Sequence, residues 1–181
     1  MQTYHPHALR RRARGAALLL IIGLGGLGQI GAQVAVLLGA EVHAADRSPA
    51  ALDAAQGWGL AATYSSAEEM AGLGLDAVVD FAGFGSTTEA AVHAIRVGGD
   101  VVMVGLGAER TTLTTADVIH QKARIHGSSG GTRQDIESVY RYLAQGLVTP
   151  SVEHLGFEDV PSGIERLRAG DVTGRLVVLM D

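Results

Sequence analysis

Four glycines, Gly23, Gly25, Gly26 and Gly28, form a Gly-x-Gly-Gly-x-Gly pattern between two apolar runs, 17–22 and 29–38. A strand, a glycine turn and a helix in that order make a seat for a dinucleotide pyrophosphate. The first glycine lets the chain turn sharply, and Gly25 removes the side chain that would block the phosphates. Gly28 lets the helix lie close on the strand. The start of that helix turns free N–H groups and the positive end of its dipole toward the anion. Asp46 closes the next strand-like run, 41–46, and lies 23 positions after Gly23 (46 − 23). A carboxylate about 20 residues beyond the first glycine is placed to accept the hydroxyls of an adenine ribose. Glycine turns of this pattern also occur in ordinary loops. The strand, helix and carboxylate around this one favour the dinucleotide reading over a plain structural turn.

Other residue types offer less. The seven histidines, at 5, 7, 43, 93, 120, 126 and 154, are dispersed, and each reads as a surface or packed residue. The chain has no cysteine, so it has neither a disulfide framework nor a thiolate metal site. No His-Glu-x-x-His pattern occurs, and no metal ligand is assigned.

The glycine turn needs a scaffold, and the chain's rhythm supplies one. Six β-like runs, near 17–22, 41–46, 61–64, 76–81, 101–104 and 123–128, alternate with helical stretches near 26–38, 49–57, 86–96 and 115–122. Gly39 ends the first helix, and Ser48-Pro49 starts the second. Ser66-x-x-Glu69 is a capping box for a brief helix. Gly98-Gly99 reads as a turn into the fifth strand, and a helix over 134–145 stops at Gly146. After Pro150 the rhythm changes to a strand at 151–155, a helix at 157–169 and a final apolar strand at 175–181. The expected fold class is α/β: a doubly wound, parallel, six-stranded sheet with helices on both faces, plus a short C-terminal strand–helix–strand extension. Residues 1–15 read as a lead-in with a helix from Pro6 to Gly15, 16–150 as the dinucleotide-binding domain, and 151–181 as the extension, packed on that domain or on a partner.

Composition sets the remaining bounds. With 181 residues, 47% of them apolar and 18% charged, the chain can bury a full core. A net charge of −5 argues against a general nucleic-acid binder. The basic run 10–14 ahead of apolar residues 16–22 imitates a secretory leader, but cleavage after it would destroy the glycine turn. No apolar stretch approaches the roughly 20 residues that span a bilayer. A cytoplasmic protein without membrane or nucleic-acid partners is expected.

Several segments together carry a family resemblance. They are Ile-Ile-Gly-Leu-Gly-Gly-Leu-Gly-Gln at 21–29, Asp46-Arg47-Ser48, Asp-Ala-Val-Val-Asp-Phe-Ala-Gly at 76–83, Gly-Gly-Asp-Val-Val-Met-Val-Gly-Leu at 98–106, Gly-Ser-Ser-Gly-Gly-Thr-Arg at 127–133 and Gly-Arg-Leu-Val-Val at 174–178. In this order the chain resembles the cofactor-binding (Rossmann) domain of zinc-type medium-chain alcohol dehydrogenases. The resemblance implies that Gly23, Gly25, Gly26 and Leu27 hold the pyrophosphate. It implies that Asp46 takes the ribose hydroxyls and favours NAD over NADP, since a 2′-phosphate would meet its charge; Arg47 beside it softens that preference. Phe81, Ala82, Gly83, Val104, Gly105, Leu106 and Ser128 would border the nicotinamide half, and Arg175 would reach a phosphate. Thr3-Tyr4-His5 is similar to the segment that enters the cleft beneath the nicotinamide.

The family's N-terminal catalytic domain, which holds the zinc ligands, is not matched by these residues, and zinc is not expected. In the family, strands resembling 151–155 and 175–180 lie largely on the catalytic domain's side. The last strand is therefore expected to lack its usual partners and to recruit a second copy or a partner chain. The family's joining of two sheets near the sixth strand points to the same homodimer.

Three function classes follow. The first is an NAD(H)-binding oxidoreductase component. The second is a non-redox enzyme, such as a biosynthetic cyclase, isomerase or lyase, that binds a small molecule in the vacated cleft. Its acid–base candidates are Tyr4, His5, Asp80, Glu109 and Arg133, although Asp80 at a strand end reads better as a structural acceptor. The third is a nucleotide sensor or scaffold without chemistry.

Overall fold

Each residue of β1 (Leu18–Ile22) is apolar, because the strand is covered on two sides. Leu19 and Ile21 pack with Ala32 and Ala35 of α1 (Gly28–Leu37). Leu20 and Ile22 point the other way and pack with Ala90, Ala91 and Ala94 of α3 (Gly85–Ala94). Alanines on both helices let them approach the sheet closely. Each fully buried leucine or isoleucine contributes about 1.5–3 kcal/mol relative to exposure. The computed structural model describes residues 16–180. The expected lead-in helix, with Tyr4 and His5, lies outside the described residues.

Around β1 run β2 (Glu41–Ala45), β3 (Ala62–Tyr64), β4 (Leu75–Asp80), β5 (Ile95–Met103) and β6 (Arg124–Gly127). Their order in the sheet is β3-β2-β1-β4-β5-β6, and every pair is parallel. This is the expected doubly wound fold. The chain leaves β1 toward β2 on one side, and later returns to β4 on the other. Strand order therefore reverses between β1 and β4, the place where ligands bind in open α/β sheets. The turn at the end of β1 sits there.

Local signals act as expected. Ser48 caps α2 (Pro49–Ala54) by accepting the Ala51 N–H on Oγ at 3.3 Å. Glu69 reaches back from the 3₁₀ turn Ala67–Met70 to accept the Ser66 N–H at 3.1 Å. The Ser65 hydroxyl, which donates to Glu69 at 2.6 Å, holds that carboxyl below its usual range.

Two elements depart from expectation. Strand β5 begins at Ile95, ahead of Gly98-Gly99, and not at 101. Ile95 pairs with Leu75, the register then shifts, and Ala77 pairs with Asp100. The intervening residues bulge out, with Gly98 at φ +73°. The second departure is a pairing within the C-terminal extension that the sequence reading did not give. After α4 (Thr115–His120) and α5 (Arg133–Ala144), β7 (Val152–Leu155) and β8 (Arg175–Val178) pair in parallel, with α6 (Val160–Ala169) between them. The extension is thus a small βαβ unit, whose Arg166–Glu153 ion pair ties helix to strand.

Candidate functional site

The turn after β1 is built by two glycines with different roles. Gly23 has φ +85°, which an L side chain resists. Gly28 has no room for a side chain, since a Cβ there would lie 1.7 Å from the Gly23 carbonyl oxygen. Between them the chain is left open. Nothing lies within 4 Å of a Cβ built on Gly25. Among the described residues, the N–H groups of Gly25, Gly26 and Leu27 have no acceptor. No acidic side chain stands in the first turn of α1 to compete for them. Donors, a positive helix end and space thus coincide, which is what a phosphate requires.

Asp46 follows β2 and fastens this turn. Its Oδ2 accepts the Leu24 N–H at 2.6 Å and its Oδ1 accepts the Ser48 N–H at 2.8 Å. Each oxygen keeps a further lone pair, and the carboxylate lines a cleft of about 690 Å³. The same cleft is lined by Gly23, Gly25, Gly26, Leu27, Arg47, Phe81, Ala82 and Arg175. Nine of the residues singled out in the sequence therefore share one space. The Arg47 guanidinium lies 5.6 Å from the Phe84 ring centroid, within cation–π reach.

Val104 and Ser128 line an adjoining, more apolar cleft of about 500 Å³, which Leu27 and Phe81 also border. Those two side chains mark the boundary between the clefts. Gly83, Gly105 and Leu106 line neither. Gly83 is packed against Gly105, and Leu106 is 92% exposed. Glu109 and Arg133 are exposed and line neither cleft. Asp80 is fully buried. Its Oδ1 accepts the Ala82 and Gly83 N–H groups at 3.0 and 2.8 Å, and its Oδ2 accepts the Thr87 and Thr88 hydroxyls at 2.8 and 3.0 Å. It is a structural acceptor, as its place at a strand end implied, and is not an acid–base group of the cleft.

The sequence reading missed Ser65, Ser66 and Glu68, which wall the cleft beyond β3, and Phe84, Ser86 and Thr87, which wall it beyond β4. A signal for them existed. In a parallel sheet all strands end on one edge, so residues just past β3 and β4 share the edge that bears the glycine turn. Among the described residues, no group of three or more His, Asp or Glu side chains is placed to hold a metal ion. No described helix is long and apolar enough to cross a membrane.

Comparison with known proteins agrees with this geometry. Residues 26–145 match the family described as zinc-binding dehydrogenase. An alcohol dehydrogenase of Geobacillus stearothermophilus is 30% identical over 93% of this chain and 52% of its own length. Alcohol dehydrogenase 2 of Caenorhabditis elegans is 31% identical over 91% of this chain and 49% of its own. Among solved structures, acetophenone reductase of Geotrichum candidum in complex with NAD superposes with a TM-score of 0.85 at 31% identity. That match covers 95% of this chain and 51% of the reductase. The chain spans about half the length of the curated relatives it matches.

Proposed function

The chain belongs to the zinc-binding dehydrogenase family, and we propose that it is an NAD(H)-binding, alcohol dehydrogenase-like oxidoreductase component. The observation that carries this reading is the coincidence, in one cleft, of the open space at Gly25, the acceptor-free N–H groups of Gly25 to Leu27, the Asp46 carboxylate and Arg175. These residues fit the cofactor. The Gly25–Leu27 N–H groups and Arg175 bind the pyrophosphate, and Asp46 accepts the adenine-ribose hydroxyls on its spare lone pairs. The Asp46 charge opposes a 2′-phosphate, so NAD is preferred to NADP. Leu27, Phe81, Val104 and Ser128 border the nicotinamide end, where their largely apolar surface excludes water. Bound NAD supplies the hydride-transfer chemistry.

The family's metal does not fit the described residues, where no ligand cluster converges and no cysteine is available. The non-redox reading loses Asp80, which is fully occupied by its own backbone and hydroxyl donors.

Gly25→Val tests the reading. The new side chain enters open space, so the free energy of unfolding should stay within about 0.5 kcal/mol of the parent. NADH affinity, followed by nucleotide fluorescence, should fall at least about a hundredfold because the side chain fills the phosphate seat. Unchanged affinity would remove the pyrophosphate from this turn.

A further inference from the structure

Two buried glutamines on α1 do something that the dinucleotide motif does not ask of them. Gln29 is 1% exposed and Gln33 8%. They lie four residues apart, hence on one face of the helix. The Gln33 Oε1 accepts the Thr149 N–H at 2.8 Å, and its Nε2 donates to the Thr149 carbonyl at 3.1 Å. The Gln29 Oε1 accepts the Ser151 N–H at 2.6 Å, and its Nε2 donates to the Ser151 carbonyl at 3.4 Å. A helix has no spare mid-length backbone groups with which to pair an extended segment. A side-chain amide carries one acceptor and two donors, so each glutamine takes the place of a peptide unit in a neighbouring strand. Residues 149–151 are thereby laid along α1 as if along a sheet edge.

Ser151 passes that placement on. Its carbonyl also accepts the Arg175 N–H at 3.0 Å, and β8 starts at this residue in register with Val152 of β7. Gly174 is held against the same carbonyl, where a Cβ would come within 2.2 Å of the oxygen. The Arg175 side chain then returns to the start of α1: a Cβ on Gly26 would lie 2.3 Å from Arg175 Nε and 2.5 Å from its Cζ. The circuit runs from Gln29 through Ser151 and Arg175 back to Gly26, three residues before Gln29.

We infer that Gln29 is a positioning residue for the cofactor site, fixing Ser151 so that Arg175 is held over Gly26 beside the phosphate seat. This inference rests on the proposed reading of the cleft as a dinucleotide site. It gives the C-terminal βαβ unit a role in that site. The unit delivers one cation, and the α1 glutamines set where that cation arrives.

A double-mutant cycle read with ADP-ribose tests it. Gln29→Met keeps the length of the side chain and discards its hydrogen bonds, and should weaken ADP-ribose about fivefold. Arg175→Ala should weaken it about tenfold or more. In the Arg175→Ala background, Gln29→Met should cost less than about twofold, since its effect passes through the arginine. Losses that multiply in the double variant would overturn the inference, as would an unchanged affinity in Gln29→Met. Gln29→Asn, whose amide is one methylene too short to reach Ser151 and which adds no charge, serves where Gln29→Met does not fold, and should give the same non-additivity. Should the parent bind neither ADP-ribose nor NADH, the dinucleotide reading itself fails. Amide exchange then decides the clamp: faster exchange at Ser151 and Arg175 in the Gln29 variant supports it, and unchanged exchange at Arg175 refutes it.

Discussion

The strand ends on either side of β1 carry the same residue type to opposite ends. Asp80 closes β4 and is fully buried, with four donors around its two oxygens. Asp46 follows β2, is half-buried, accepts one backbone N–H on each oxygen, and faces the cleft. Both sit on the sheet edge where strand order reverses. One carboxylate is finished by the protein, and the other is left with capacity to accept more. In this fold the site is therefore marked by what the chain leaves unsatisfied beside the turn, more than by the presence of an acidic group.

Breaking the finished carboxylate should do the larger damage. Asp80→Ala strands the Ala82 and Gly83 N–H groups and removes the acceptor of two threonine hydroxyls. A loss of about 3 kcal/mol in urea unfolding is expected. A loss below about 1 kcal/mol would mean that water or relaxation replaces those bonds. Asp46→Ala should act mainly on the ligand. NADH affinity in a titration should fall about tenfold, and NADPH affinity should fall less or rise, so the gap between them closes. Its stability cost, from the buried Leu24 N–H and the half-buried Ser48 N–H, should stay at about 1–2 kcal/mol, below that of Asp80→Ala, because two donors and not four lose their acceptor.

A third aspartate sharpens the contrast. Asp100 on β5 is buried and pairs with Arg124 and His126 of the edge strand β6. The Arg124 guanidinium holds its carboxyl below the usual range; burial opposes this, and His126 adds to it. A carboxyl with a depressed folded pKa stabilises fully above its unfolded value and loses that contribution as pH falls through the folded value. The stability gap between parent and Asp100→Asn, about 1 kcal/mol at neutral pH, should hold steady above about pH 5. It should shrink once pH drops below about 4. A gap that grows on acidification would contradict the pairing.

Much of the scaffold is legible in the sequence because its signals are local. Apolar runs give the buried parallel strands, Ser48-Pro49 gives a capped start, and the glycine turn declares itself by spacing. What escapes depends on pairing across the sheet. Gly98-Gly99 reads as a turn, yet Ile95 pairs with Leu75 before the bulge, a contact that only the position of β4 creates. The β7–β8 pairing and the Gln29–Ser151 bonds join residues more than 20 and more than 100 positions apart. Neither leaves a periodic trace in the chain. At the site, Gly23, Gly25 and Asp46 are readable because a motif names them, and Gly26, Leu27 and Arg175 because the family resemblance implies them. Ser65 to Glu68 follow only once β3 is known to lie beside β2.

Calorimetric titration of the parent protein with NADH and NADPH tests the central claim most directly. The account predicts that NADH binds with one site per chain and that NADPH binds much more weakly, because the Asp46 carboxylate meets the 2′-phosphate. Absence of binding by either nucleotide, or tighter binding of NADPH, would contradict it.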